Sequence, residues 1–69
     1  MTDFEVRFNG DGYTGAHVVT YFEDDRDSAI ARAKRDGENN RADEISITYK
    51  NGRKWIGCWF RKGDGWYSI

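Results

Sequence analysis

Asn51-Gly52, set between two alternating runs, constrains the fold of this chain more than any other feature. Ile45-Ser46-Ile47-Thr48-Tyr49 precedes it and Trp55-Ile56-Gly57-Cys58-Trp59-Phe60 follows. An Asn-Gly pair readily takes the left-handed conformations of a tight turn, so the two runs are predicted to pair as an antiparallel hairpin. A two-residue turn also sets the register. Lys50 then faces Arg53, Thr48 faces Trp55, Ile47 faces Ile56, Ile45 faces Cys58 and Glu44 faces Trp59. Successive side chains point to opposite faces of a strand. Ile45, Ile47, Ile56, Cys58 and Phe60 are therefore expected to form a core face. Lys50, Arg53, Trp55, Trp59 and Arg61 are expected on the other, where indoles and cations together mark a docking surface.

The remaining chain supplies elements to complete a sheet. Asp3 to Phe8 alternates, with Phe4, Val6 and Phe8 on one side and Asp3, Glu5 and Arg7 on the other, as in a half-buried strand. Asn9-Gly10-Asp11-Gly12 is a turn cluster that opens a loop of roughly residues 9–15, and Ala16 to Phe22 is a second strand. A helix is predicted from about Arg26 to Asp36, capped by Asp25 or Asp27, with Ala29, Ile30 and Ala33 as its apolar stripe. Arg32, Lys34 and Arg35 fall on its flanks, outer side and final turn, where cations suit the helix dipole. Gly37 suits the left-handed residue just past the helix end. Lys62-Gly63-Asp64-Gly65 is a turn before a short last strand, Trp66 to Ile69. If Arg61 faces Trp66, then Tyr67 and Ile69 join the core face and all three tryptophans share the open one. The expected architecture is one α+β domain over residues 1–69, ordered β-β-α-β-β-β. Its single helix packs on one face of an antiparallel sheet of about five strands. The other face is left to solvent or to a partner.

Charge and composition narrow the function classes. Eleven basic residues against twelve acidic ones give a net charge of −1. That balance is unlike a generic nucleic-acid binder, which is clearly basic, and unlike an acidic DNA mimic. No stretch approaches the ~20 apolar residues that span a bilayer, so a soluble cytoplasmic protein is expected. A single cysteine fits a reducing compartment, and Cys58 reads as a small buried hydrophobe. His17 has no partner arrangement for nucleophilic catalysis. The Asn9 to Gly12 cluster lacks the distant carboxylate of a calcium loop, and acidic residues 23–25 stand where a phosphate site needs backbone donors alone. No catalytic residue, metal site or cofactor is expected, and the protein is read as a non-enzyme.

The surface residues that remain are Trp55, Trp59 and Trp66 with the cations around them. They suit a protein interface, self-association as a homodimer through the open face, or stacking of nucleic-acid bases. Cross-strand aromatic pairs that merely stabilise a sheet account for them as well.

Three motifs in the second half carry a resemblance. These are Ala33-Lys34-Arg35 in the helix, Asn51-Gly52 followed by Trp55, and Lys62-Gly63-Asp64-Gly65-Trp66. Together with the order of elements, they resemble small phage-encoded anti-CRISPR proteins that inhibit type I CRISPR surveillance complexes. The resemblance implies a stoichiometric inhibitor whose basic side chains insert among the backbone subunits along the guide RNA, so that target DNA cannot hybridise. By position it assigns partner contacts to Lys34 and Arg35, to Arg61 or Lys62, and to Arg41. Three tryptophans exceed what that family leads one to expect, which keeps a dimer or another docking face open.

Overall fold

The computed structural model describes residues 1–10 and 17–68. Five strands and one helix follow in the expected order: β1 (Thr2–Asn9), β2 (His17–Glu23), α1 (Arg26–Asn39), β3 (Glu44–Tyr49), β4 (Trp55–Lys62) and β5 (Gly65–Ser68). The strands form one antiparallel sheet, ordered β2-β1-β3-β4-β5. The helix crosses from β2 to β3 over β1 and packs chiefly on those three strands. The turn cluster after Asn9 and the expected core position of Ile69 lie partly or wholly outside the described residues.

Alternation builds the core as the sequence indicates. Phe4, Val6 and Phe8 of β1 and Ile45 and Ile47 of β3 are buried under Ala29 and Ala33 of α1, with Tyr21 of β2 and Ala42 closing the sides. Alanines at the helix interface let the helix approach a sheet that already carries large side chains. The parity of β2 follows from Phe4 pairing Tyr21. Val19 and Tyr21 face the helix, whereas Val18, Thr20 and Phe22 face away.

A polar network ties α1 to the outer strand. The Tyr21 hydroxyl donates to Asp36, and the Arg32 guanidinium lies 4.1 Å above the Tyr21 ring. Arg32 donates to Glu23 at 2.9 Å and sits 3.9 Å from Asp36. Arg32 is thus spent on internal contacts.

The helix begins where Asp25 caps it, its carboxylate accepting from the Ser28 backbone N–H at 2.8 Å. It ends three residues later than expected, and Gly37 is not the left-handed terminator. Gly37 lies buried inside the helix, where a Cβ would come within 2.9 Å of Ile45 Cδ1 and 3.1 Å of the Trp66 ring. The glycine makes room for close packing, and the helix runs through it until Asn40 caps the end by donating its side-chain N–H to the Asp36 carbonyl at 2.8 Å. The extension leaves no cation in the last turn, contrary to the expected placing of Arg35.

The cap makes stability depend on acid. The Ser28 backbone N–H, and then its hydroxyl, hold the Asp25 carboxyl below its usual value. A carboxyl depressed in the folded state stabilises fully above its ordinary titration range, and that contribution falls away as pH drops through the lowered value. Asn caps as well as Asp but does not titrate. Asp25→Asn is therefore expected to melt below the wild type at neutral pH, with the gap closing on acidification. Melting curves between neutral and acidic pH check this, and a gap independent of pH contradicts it.

Candidate interaction surfaces

A β-bulge decides which surface the aromatic residues occupy. Near the turn the expected register holds, with Thr48 opposite Trp55. The loop is longer than two residues: Tyr49 N–H bonds the Lys54 carbonyl at 2.8 Å, and the left-handed residues are Gly52 and Arg53 rather than Asn51 and Gly52. Lys50 and Arg53 therefore sit in the loop and do not face each other across a ladder. Beyond Thr48 the register shifts by one, so Ile47 faces Gly57, Ser46 faces Cys58, Ile45 faces Trp59 and Glu44 faces Phe60. Ile56 is the extra residue. An inserted residue reverses the facing of everything after it.

Several expectations change accordingly. Trp59 and Arg61 turn to the helix side, and Trp66, which pairs with Arg61 as expected, goes with them. Cys58, Phe60 and Tyr67 leave the expected core for the open face, and Phe60 and Tyr67 are exposed. Ile56 still packs against the core. The open face of three tryptophans does not exist, since Trp55 alone of the three remains there. The physical reason lies in Gly57. On the helix side, the Trp59 ring folds over it so closely that a Cβ there would meet the ring at 2.9 Å. The bulge lets both Ile56 and Trp59 reach the core side. A glycine inside a strand pattern is a known mark of a bulge or close approach, and Gly57 was the available signal.

The helix-side surface beyond α1 forms a shoulder. One flank of α1 carries Ile30, Lys34 and Glu38 at helical spacing, and that flank overlooks β4 and β5. Lys34 Nζ stands 5.7 Å from the centre of the Trp59 ring. Trp66 donates its indole N–H to Glu38 at 3.1 Å. Arg61 lies two residues beyond Trp59 on the same face, 3.9 Å from Asp43, and its backbone N–H bonds the Asp43 carbonyl. Lys34, Trp59, Arg61 and Trp66 are each half-buried. Arg41 is exposed at the same end, just after the helix, in a left-handed conformation.

The structure thus brings four of the eight sequence-chosen residues together and sets Arg41 nearby. It separates the others. Arg35 is on the outer side of α1, Lys62 is at the open-face end of β4, and Trp55 is on the open face at the turn end.

The open face has its own composition. Val18, Phe22, Trp55, Phe60 and Tyr67 are 43% to 61% exposed, and all five point away from the helix. Apart from Met1, they are the exposed large hydrophobic residues among the described ones. They flank a central polar strip of Glu5, Arg7, Ser46 and Thr48. Those four residues and Trp55 line a shallow depression of about 220 Å³. Sequence reading missed Val18, Phe22, Phe60 and Tyr67, two because β2 parity was open and two because of the bulge.

Cys58 is half-buried beside this strip. Burial, and then the charge of Glu44, push its thiol above the ordinary value. A thiol shifted that way is a poor nucleophile and metal ligand at neutral pH. Among the described residues no group of His, Cys, Asp and Glu is placed to hold a metal ion, and no helix is long and apolar enough to cross a membrane.

No protein-family model, no curated protein and no solved structure matches the sequence. The functional reading therefore rests on these two surfaces and on the resemblance of the motifs.

Proposed function

We propose that this chain is an anti-CRISPR inhibitor that binds a type I surveillance complex through its helix-side shoulder and blocks hybridisation of target DNA. One observation carries the reading. Lys34 from the helix and Arg61 from the last hairpin converge beside Trp59 and Trp66, and the resemblance assigns partner contacts to Lys34 and to Arg61 or Lys62. Half-buried indoles next to a guanidinium have the composition of an interface hot spot.

The physical case is one of occupancy, without a reaction. A surveillance complex holds its guide in a channel built to receive a negatively charged backbone. A small domain that lodges an ammonium and a guanidinium against the acidic or RNA-lined rim competes for that space. Arg61 is free to do so, because its pair with exposed Asp43 spans 3.9 Å and such surface pairs contribute little. Arg41 stands exposed at the same end of the molecule and extends the positive edge. Glu38 and Asp43 interleave with the cations, which suits a mixed-charge protein surface better than free nucleic acid. The reading implies action in the cytoplasm of a bacterial cell.

The test uses a purified type I surveillance complex. The protein is expected to co-migrate with it and to abolish hybridisation of a matching DNA duplex. Lys34→Glu and Arg61→Glu are each expected to weaken binding at least about tenfold, the scale of a truncated or reversed interface charge, while far-UV circular dichroism stays unchanged. Undiminished hybridisation at saturating protein, or wild-type binding by both variants, overturns the reading.

A further inference from the structure

We infer that the open sheet face is a two-fold interface between two copies of this chain. The inference goes beyond the proposed inhibition, which uses the opposite side of the sheet.

The single helix covers one face, and among the described residues nothing covers the five exposed hydrophobic side chains on the other. A two-fold interface requires that one patch carry both halves of each contact. This patch does. The depression lined by Glu5, Arg7, Ser46, Thr48 and Trp55 has room for one aromatic side chain, and Trp55 stands exposed at its rim. Knob and hole are therefore on the same surface.

Charge points the same way. Glu5 and Arg7 lie two residues apart on the open side of β1. The ion pairs of the described residues involve Arg26, Arg32 and Arg61; neither Glu5 nor Arg7 takes part in one. A two-fold axis across the strands, passing between Glu5 and Arg7, sets Glu5 of each copy against Arg7 of the other. Glu5 and Arg7 of the two copies then neutralise each other reciprocally, beside the Lys50 ammonium that donates to Thr20 at 3.1 Å. Sheets packed face to face in this way lie ~10 Å apart with side chains interdigitated.

Five strands at ~4.8 Å spacing and six or so residues at ~3.3 Å each give a face about 20 Å square, or about 800 Å² of flat face for two copies. That is below the ~1,200–2,000 Å² of standard interfaces and places the pairing among the weak, concentration-dependent ones. A domain this small also gains from association, because its own core contributes little net stability.

Sedimentation equilibrium from micromolar to millimolar protein tests the interface. The wild type is expected to shift from one to two chain masses. Arg7→Glu and Glu5→Arg, both at solvent-accessible positions, are each expected to weaken dimerisation at least about tenfold by setting like charges together. Mixing the two variants is expected to restore a dimer with one copy of each. Trp55→Lys is expected to stay monomeric. A wild type that remains monomeric at millimolar concentration overturns the inference, as does a dimer indifferent to Arg7→Glu or a mixture that fails to pair. Lys34→Glu leaves this face intact and Arg7→Glu leaves the shoulder intact, so the dimer and the inhibition fail independently.

Discussion

Gly37→Val is expected to lower the melting temperature by about 10 °C or more, while Gly37→Ala changes it little. Both variants gain from replacing a glycine inside a helix, by up to ~1 kcal/mol for alanine. They differ in what they push against. The first added carbon already meets Ile45 Cδ1 at 2.9 Å and the Trp66 ring at 3.1 Å. These are the far ends of side chains, and they yield a few tenths of an ångström to a methyl group. Valine adds two further carbons in the gap between the helix and β3, and the Gly37 carbonyl is itself held by the Ala42 N–H of the following connection at 2.8 Å. Forced overpacking costs ~1–3 kcal/mol, and in a domain of this size each kcal/mol moves the midpoint by ~4–8 °C. The same variant is expected to lever Trp66 away from Glu38, so its tryptophan emission should shift to the red before the main transition. A valine variant that melts with the wild type means that helix and sheet do not approach so closely.

The two glycines that matter most, Gly37 and Gly57, explain where the sequence was legible and where it was not. Strand patterning, the Asp25 cap, the alanine stripe and the order of elements are local properties, visible as periodicity and capping chemistry. They located every element and the core on β1 and β3. A glycine is ambiguous, because freedom of φ and absence of a side chain look the same in a sequence. Gly37 read as a terminator and Gly57 as an ordinary strand residue. In both, the missing Cβ makes room for a distant indole, Trp66 in one case and Trp59 in the other. That demand comes from tertiary packing, and it is not written within a few residues of either glycine. Of the candidate site, the residue types were legible but their grouping was not: Arg61, Trp59 and Trp66 were expected on the open face, and a register that one inserted residue reverses sets them on the helix side beside Lys34 instead.

The two surfaces predict opposite behaviour for two tryptophans on the same strand, and this is the sharpest expected result. Trp59→Ala is expected to cost about 2 kcal/mol of stability, somewhat under the ~3–5 kcal/mol typical of fully buried aromatics, and so to lower the midpoint by about 10 °C. Its ring covers Gly57, lies under the Lys34 ammonium and packs against the core. Nothing else on the strand can fill that space. Trp55→Ala is expected to leave the monomer's stability within ~0.5 kcal/mol, as for other surface positions, because the residue is 61% exposed and opposite Thr48. Its loss should appear only in association. Denaturation of dilute protein, where the dimer does not contribute, separates the two effects. Had the hairpin kept a straight register from its turn, both indoles would stand on one face and the two substitutions would cost alike. Equal costs would therefore remove the bulge, and with it the division of this small sheet into an inhibitory side and a self-associating one.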